Sequence, residues 1–234
     1  MKIQGSVVLV TGANRGLGLE FAKQALALGA AKVYAAARDP SRVTLPGVVP
    51  VKLDVTNVAD VAALAVQCPD VTLLINNAGI GRVGGIAAGD ASALLREQME
   101  TNLYGVLNMS HAFAGILGRN GGGAMLNILS ILSWVNTPML GAYGATKAAA
   151  WALTNSLRIE LQAQGTQVVG FHAGFIDTDM IRSFDVPKAT PQDVVRQAYD
   201  AIEAGEVEVR VDDATRQVKA GLSQGVYLAD ALNG

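Results

Sequence analysis

Residues 6–18 read SVVLVTGANRGLG, an apolar run followed by three closely spaced glycines. Its first part, 6–10, is a short apolar run rich in valine that predicts a buried strand. Gly12, Gly16 and Gly18 then allow a sharp turn, and apolar residues at helical spacing follow over 17–28. A strand, a glycine turn and a helix in this order are typical of the start of a βαβ unit.

The same alternation continues along the chain. Six further short strands are predicted at 32–37, 48–53, 71–75, 124–129, 167–171 and 207–211. Further helices are predicted at 58–66, 91–117, 142–162 and 191–202. Because parallel neighbours need right-handed crossover connections, this pattern predicts an α/β fold. We expect a doubly wound, mostly parallel seven-stranded sheet with helices on both faces.

The composition agrees with a single domain over residues 1–234. Hydrophobic residues make up 50% of the chain and charged residues 16%, so a large core is expected. The formal net charge of −2, without a basic block, gives no electrostatic reason to expect a nucleic acid or a membrane as partner. The one cysteine, Cys68, predicts neither a disulfide framework nor a metal cluster. No apolar run approaches the ~18 residues of a membrane span, and we expect a cytoplasmic protein.

The glycine turn also predicts a ligand. Glycines let the backbone approach a pyrophosphate, and the helix that begins near Gly16 directs free N–H groups and its positive dipole end at phosphates. A turn in this position, after the first strand of a βαβ unit, is typical of dinucleotide binding. The candidate contacts are Gly12, Asn14, Arg15, Gly16, Leu17 and Gly18.

Further motifs, in order along the chain, resemble those of the short-chain dehydrogenase/reductase family. The glycine turn has the spacing T-G-x-x-x-G-x-G, and residues 76–79 read N-N-A-G after the fourth predicted strand. Residues 143–147 look like the family's Y-x-x-x-K, and Ser130 lies 13 residues before the tyrosine, a family spacing. The resemblance covers about residues 6–180. It implies a Rossmann-type fold and an oxidoreductase that moves a hydride to or from a carbonyl carbon.

Tyr143 is the candidate general acid, because carbonyl reduction needs a proton for the developing alkoxide. A free phenol has a pKa near ~10. Lys147 follows one helical turn later, where its ammonium can stabilise the phenolate. Ser130 can hydrogen-bond the substrate carbonyl. The resemblance adds that Lys147 contacts the nicotinamide ribose and that Asn102, the fourth catalytic position, holds a water next to Lys147.

The end of the second predicted strand distinguishes the two nicotinamide dinucleotides. An acidic residue there would bind the ribose hydroxyls of the adenosine and repel a 2′-phosphate. This chain has Ala36 and Ala37, followed by Arg38, and Arg15 lies within reach in the glycine turn. Guanidinium groups bind phosphate oxygens through paired donors. We therefore expect NADP(H) in preference to NAD(H).

The resemblance implies further cofactor contacts after the third and fourth strands. Asp54 should contact the adenine amino group, and Asn76 and Ala78 should line the adenosine side. The contacts expected in this part of the site are Asp54, Val55, Asn76, Ala78 and Gly79.

After the sixth predicted strand the family usually has P-G-x-V-x-T. Gly174 and Thr178 match this pattern, with Ile176 between them, and Thr178 would contact the nicotinamide carboxamide. Ala173 replaces the proline, which puts the rigidity of this loop in doubt. His172 directly follows an apolar strand, so we expect a packed or edge histidine rather than a titrating group.

Residues 131–140 and 180–184 fall where the family builds its substrate pocket. Both stretches are largely apolar, which favours a hydrophobic or aromatic ketone or aldehyde, and the short loop after Thr178 favours a shallow, open pocket. Trp134 could equally be a packing anchor. The candidate substrate contacts are Ser130, Leu132, Trp134, Met139, Tyr143, Phe175, Met180 and Phe184.

The expected activity is NADPH-dependent reduction of a carbonyl. An NADP-dependent alcohol dehydrogenase that works mainly in oxidation is the alternative, because the same residues serve both directions. From a different class, the chain could be a non-catalytic, nucleotide-sensing protein. Such a protein should have lost at least one of Ser130, Tyr143 and Lys147, and all three are present.

The predicted helices 91–117 and 142–162 have more apolar residues than one stripe can hold. A helix that is apolar on two faces needs two burial partners, and the sheet supplies one. We therefore expect a homodimer or homotetramer in which these helices meet across a two-fold axis. The family resemblance implies the same contact.

Overall fold

The computed structural model describes residues 1–87, 89–181 and 185–230, except for the side chain of Met180. Within these ranges a seven-stranded sheet has the order β3-β2-β1-β4-β5-β6-β7. Every neighbouring pair of strands is parallel. The strands are β1 (Val7–Thr11), β2 (Lys32–Ala37), β3 (Val49–Lys52), β4 (Leu73–Asn76), β5 (Ala124–Ile128), β6 (Gln167–His172) and β7 (Glu208–Arg210). The predicted doubly wound fold is confirmed.

The order in which strands are added to the sheet reverses between β1 and β4. These two strands are neighbours although β2 and β3 separate them in the chain. Loops from the carboxyl ends of β1 and β4 leave toward opposite faces at this point. A crevice at such a reversal is where doubly wound sheets bind their ligands. The glycine turn, which follows β1, lies at this crevice.

Helices cover both faces of the sheet. They are α1 (Gly16–Ala27), α2 (Val58–Gln67), α3 (Ala91–Met99), α4 (Gly105–Arg119), α5 (Gly141–Glu160), α6 (Pro191–Ala204) and α7 (Asp213–Gly221). Short 3₁₀ turns occur at Pro40–Arg42, Ile131–Ser133, Pro138–Leu140, Gln162–Gln164, Asp179–Ile181, Leu222–Gln224 and Val226–Leu228. None of the described helices combines the length and apolar character that crossing a bilayer requires.

Two helix predictions need correction. The single helix expected at 91–117 is divided by a π-helical turn, Glu100–Tyr104, between α3 and α4. Periodicity could not separate the parts, because a π-turn adds one residue without ending the helix. Helix α7 was not predicted, since its sequence DATRQVKAG has too few apolar residues to show a stripe.

Strand alternation divides the core between the two faces. Leu73 and Ile75 of β4 pack in the cluster beneath α1 and α6, whereas Leu74 packs beneath α2, α4 and α5. In the first cluster the ring of Phe21 meets that of Tyr199 edge-on, with centroids 5.6 Å apart. These two cores hold the strand ends, and therefore the crevice, in place.

Candidate active site

A cleft of about 480 Å³ lies at the carboxyl ends of the strands. The glycine turn forms one end, which we call the adenosine end. Residues from the start of α5 and from the loops after β5 and β6 form the other, which we call the catalytic end. Of the predicted cofactor contacts, the cleft is lined by Gly12, Asn14, Arg15, Gly16, Leu17, Gly18, Arg38, Asp54, Val55, Ala78, Gly79, Tyr143, Lys147, Gly174, Ile176 and Thr178.

The glycine turn forms a cradle that side chains would fill. Gly12 and Gly16 have φ of +68° and +54°, which favours glycine. A Cβ atom at Gly18 would overlap the carbonyl oxygen of Gly12. Helix α1 begins at Gly16, and its N-cap residue Arg15 makes no side-chain capping bond. The first-turn N–H groups therefore face the cleft without a cap, an arrangement that fits a pyrophosphate.

Asn77, rather than Asn76, connects β4 to the glycine turn. Its side-chain amide donates to the Thr11 carbonyl oxygen at 2.8 Å, and its backbone N–H donates to Thr11 Oγ1 at 2.9 Å. Asn76 does not line the cleft, and its amide is buried, donating to Asn127 Oδ1 at 2.8 Å. The structure does not bring Asn76 to the cleft, because its side chain, at the last position of β4, lies on the face covered by α4, where it also donates to Ser110 Oγ at 3.3 Å. The second asparagine of the N-N-A-G motif was the available signal.

Arginines surround the adenosine end of the cleft. Arg38 is exposed beside it, and Arg42, which was not predicted, lies one turn further along the lining. The carboxylate of Asp39, between them, accepts from Ser41 Oγ at 2.6 Å, and these Ser41 bonds lower its pKa. Arg15 lies 3.3 Å from Asp179 across the cleft, an exposed ion pair of little energetic weight.

Asp54 lies at the floor of the adenosine end. Its Oδ1 accepts hydrogen bonds from the backbone and the hydroxyl of Thr56, at 3.0 and 2.7 Å. Burial acts to raise the pKa of Asp54, but the Thr56 bonds and the nearby Arg38 outweigh it and hold that pKa below its usual value. The side chain is thus a fixed, ionised acceptor.

Ser130, Tyr143 and Lys147 lie together at the catalytic end. Ser130 begins a 3₁₀ turn, where its Oγ accepts from the Leu132 N–H at 3.1 Å. The Lys147 ammonium lies 5.6 Å from the centre of the Tyr143 ring and donates to the Ile128 carbonyl oxygen at 2.7 Å. The predicted helical turn between Tyr143 and Lys147 therefore brings both onto the cleft face of α5.

Burial shifts the two titratable groups in opposite directions. It raises the pKa of Tyr143 to about 12, against which a hydrogen bond with Ser130 acts, and lowers the pKa of Lys147 to about 8. The phenol is therefore protonated at neutral pH in this state of the site. The expected stabilisation by Lys147 concerns the ionised form of Tyr143, and it stays a prediction.

Asn102 lies in the π-turn and is fully buried. Its Oδ1 accepts from the Ile80 N–H, and its amide donates to the Ile80 carbonyl oxygen, both at 2.8 Å. The amide also donates to Thr146 Oγ1 at 3.0 Å. Both amide hydrogens are committed, so a water would have to bond to an oxygen of Asn102, and the expected water next to Lys147 stays a prediction. Asn102 connects the segment after β4 to the neighbour of Lys147.

The loop after β6 is held from two sides without a proline. The Ala173 carbonyl oxygen accepts from the Ile131 N–H at 2.8 Å. The Gly174 N–H donates to Asp212 Oδ2, also at 2.8 Å. Asp212, which was not predicted as a site residue, lies just after β7. Its spacing from Thr215, typical of a helix N-cap, was the available signal.

Four of the eight predicted substrate contacts lie outside the lining of the cleft. Trp134 is buried and stacks on the ring of His172, with centroids 3.9 Å apart, so it is a packing anchor. The remaining contacts outside the cleft lining are Leu132, which packs with Val135 and Leu140, Met139, which is exposed, and Phe175. Their positions in the sequence predicted that these residues lie near the site, but not the direction in which each side chain points. Phe184 and the side chain of Met180 lie outside the described residues.

His172 is packed, as predicted. It is fully buried, and its Nδ1 lies 3.1 Å from the Ser130 carbonyl oxygen. Burial lowers the pKa of His172 to about 4, so the ring is neutral. No group of three or more potential metal ligands occurs among the described residues.

Comparison with known proteins places this fold and cleft in one class, the nucleotide-binding oxidoreductases of Rossmann type. The sequence model described as "short chain dehydrogenase" matches residues 6–188. The chain belongs to the short-chain dehydrogenase/reductase family, whose members act on alcohol and keto groups.

Two curated relatives and one solved structure illustrate the similarity. Galactitol 2-dehydrogenase (L-tagatose-forming) of Cereibacter sphaeroides is 32% identical over 190 residues, 76% of this chain and 74% of that protein. An uncharacterized oxidoreductase of Schizosaccharomyces pombe is 33% identical over 69% of this chain but 57% of its own length. A short chain dehydrogenase from Burkholderia cenocepacia, in complex with NADP, is 40% identical with a TM-score of 0.92, covering 96% of this chain and 95% of that one.

Proposed function

We propose that this protein is an NADP(H)-dependent carbonyl reductase and alcohol dehydrogenase for hydrophobic ketones, aldehydes or secondary alcohols. One observation carries the proposal. Tyr143 and Ser130, together with the buried Lys147 one helical turn after the tyrosine, line the same cleft as the uncapped glycine turn. A proton donor and a dinucleotide cradle in one cleft are what hydride transfer to a carbonyl requires.

The reduced nicotinamide supplies the hydride when the cofactor is bound. The protein supplies the proton and the orientation. Ser130 donates its hydroxyl hydrogen toward the carbonyl oxygen, since its Oγ already accepts from the Leu132 N–H. Tyr143 gives its phenolic proton to the oxygen as the C–O bond becomes an alcohol. Burial raises the pKa of Tyr143 to about 12, so the phenol carries this proton at neutral pH.

Lys147 has two roles in this proposal. Its ammonium carries the positive charge that stabilises the phenolate left after proton transfer. By family resemblance it also contacts the nicotinamide ribose. Its lowered pKa, about 8, makes it a group that can exchange a proton near neutral pH and so return Tyr143 to the acid form.

The preference for NADP(H) rests on charge at the adenosine end. Arg38 and Arg42 line it, β2 ends in Ala36 and Ala37, and the carboxylate of Asp39 is bonded to Ser41. A 2′-phosphate would thus meet two guanidinium groups. The Burkholderia structure, bound to NADP, supports the same preference.

The substrate class rests on the lining near Tyr143. Apart from Ser130 and Tyr143, the side chains that approach this end include Ile80 and Ile181, which are apolar. A carbonyl flanked by apolar groups would satisfy both the polar pair and these walls. The similarity to a galactitol dehydrogenase makes a polyhydroxylated substrate the natural competitor.

Initial rates of NADPH consumption test the proposal, with a panel of an aromatic ketone, a long-chain ketone and a keto sugar. We expect turnover of the apolar ketones at higher kcat/KM than the keto sugar, and slower turnover with NADH. The matched control is Ser130→Ala, because background oxidation of NADPH does not depend on that hydroxyl.

Two other outcomes would contradict the proposal, one for the direction of the reaction and one for catalysis itself. Turnover only of alcohols with NADP⁺ would favour the oxidative alternative. Binding of NADPH without turnover of any carbonyl or alcohol would favour the nucleotide-sensing alternative.

A further inference from the structure

The carboxylate of Asp212 bonds to two separate parts of the chain. Its Oδ2 accepts from the Gly174 N–H at 2.8 Å, and its Oδ1 accepts from the Thr215 N–H at 2.7 Å. Gly174 belongs to the loop after β6, and Thr215 to the first turn of α7. One side chain therefore caps the C-terminal helix and holds the cleft loop.

The loop needs such an anchor because its own sequence provides little stiffness. Ala173 stands where a proline would restrict the backbone more strongly, and Gly174, as a glycine, loses the most conformational freedom on ordering. The carboxylate also approaches closely. A Cβ atom at Gly174 would lie 3.3 Å from Asp212 Oδ2, tighter than most contacts of this kind.

The far side of α7 is itself held in place, so Asp212 has a fixed support. The Lys219 ammonium bonds to Glu208 Oε1 at 2.8 Å and lies 4.8 Å from the centre of the Trp134 ring. Val218 packs against the small apolar cluster of Leu132, Val135 and Leu140. Helix α7 thus contacts the segment after Ser130 as well as the loop after β6.

We infer that Asp212 is a positioning residue that orders the loop 173–178 for the nicotinamide half of the cofactor. This inference rests on the proposed function, in which Ile176 and Thr178 line that half of the cleft. Without the bond to Gly174, binding the nicotinamide would require ordering a looser loop, and part of the binding energy would be lost. The adenosine half contacts other elements and is unaffected.

Asp212→Ser separates the two roles of the side chain. Serine is a good N-cap and can accept from the Thr215 N–H, but its one oxygen cannot also reach the Gly174 N–H. We expect the affinity for NADPH to fall about tenfold, which corresponds to ~1.4 kcal/mol. The affinity for 2′,5′-ADP, which lacks the nicotinamide, should change by less than about twofold, as for a substitution away from the binding site.

Thr215→Val is the matched control. It removes the hydroxyl that accepts from the Asp212 N–H at 3.3 Å, so it weakens the start of α7 and leaves the bond to Gly174. Both ligands should bind it as they bind the wild type. In initial-rate kinetics, Asp212→Ser should raise KM for NADPH with little change in kcat, the behaviour expected when binding alone is weakened.

Isothermal titration of both ligands to the wild type and the two variants decides between the possibilities. Equal losses for NADPH and 2′,5′-ADP in Asp212→Ser, or no loss for either, would overturn the inference. Loss of NADPH affinity in Thr215→Val as well would assign the effect to α7 rather than to the loop, and would also overturn it. A wild type that binds neither ligand would overturn the proposed function together with the inference. Should Asp212→Ser not fold, Asp212→Asn, which keeps the cap and the side-chain volume, gives the same comparison.

Discussion

The two ends of the cleft differ in which atoms form them, since the backbone dominates at one end and side chains at the other. At the adenosine end, closely spaced glycines and uncapped backbone N–H groups form the cradle, and the charged side chains beside it, Arg38 and Arg42, are exposed. At the catalytic end Ser130 and Lys147 are buried and Tyr143 is partly buried, and this burial shifts the pKa values of Tyr143 and Lys147. Binding a phosphate therefore depends on local backbone geometry, whereas proton transfer depends on desolvation, which many elements must create together.

The largest expected effect is at the catalytic end. Tyr143→Phe keeps the ring and removes the ionisable hydroxyl, so turnover should fall by about 10²–10⁴-fold, the usual contribution of general acid–base catalysis. Affinity for NADPH should survive. Steady-state kinetics with the best ketone measure the effect, and Tyr227→Phe, which alters an exposed tyrosine, is the control. Retention of more than about a tenth of the wild-type turnover, with chemistry rate-limiting, would contradict the assignment of Tyr143.

An intermediate effect is expected at the adenosine end. Arg38→Ala removes a charge-assisted partner of the 2′-phosphate, worth roughly 1.5–3 kcal/mol, so NADPH affinity should weaken about 10- to 150-fold. NADH affinity should hardly change. Fluorescence titration of both cofactors measures the ratio. Arg119→Ala is the control, because that arginine ends α4, next to Asn120, whose amide bonds to the segment before β4, at the end of that strand away from the cleft.

Equal losses for the two cofactors would mean that Arg38 does not contact the 2′-phosphate. Arg42→Ala sharpens the result, because the structure places both guanidinium groups beside the cleft whereas the sequence singled out one of them.

The smallest effect concerns the stability of the catalytic end. The pKa of Lys147 is lowered from 10.5 to about 8 in the folded protein. Between these values the unfolded chain binds the proton and the folded chain does not, so this residue makes the unfolding free energy rise with pH. The unfolding free energy of the wild type minus that of Lys147→Met should therefore rise by about 1.5 kcal/mol from pH ~8 to pH ~9.5.

Urea unfolding at several pH values measures this difference. Comparison with the variant is needed because the raised pKa values of Cys68 and Tyr143, both about 12, act in the opposite direction above their usual titration ranges. A difference that stays constant with pH would mean that Lys147 titrates in the folded protein as it does in the unfolded chain.

The sequence predicted the fold and the positions of the motif residues more reliably than their contacts. All seven strands were anticipated, because short β-branched runs between glycines have a local signature. The choice of Asn76 was wrong because two adjacent asparagines look alike until the end of β4 determines which one points into the cleft. The oligomeric state stays a prediction, although Leu107 on α4 and Ile159 on α5 are exposed apolar residues.

The alternation of strands and helices, the glycine cradle and the family motifs can be read from the sequence, since each depends on residues close together in the chain. The folded structure was needed to show that Trp134 stacks on His172, that Asn102 connects Ile80 to Thr146, and that Asp212 holds the loop at Gly174. Those contacts join segments far apart in the chain, and some involve polar residues that are not part of a periodic apolar pattern. Which residues meet depends on how the helices and the sheet pack, and local sequence patterns do not encode that packing.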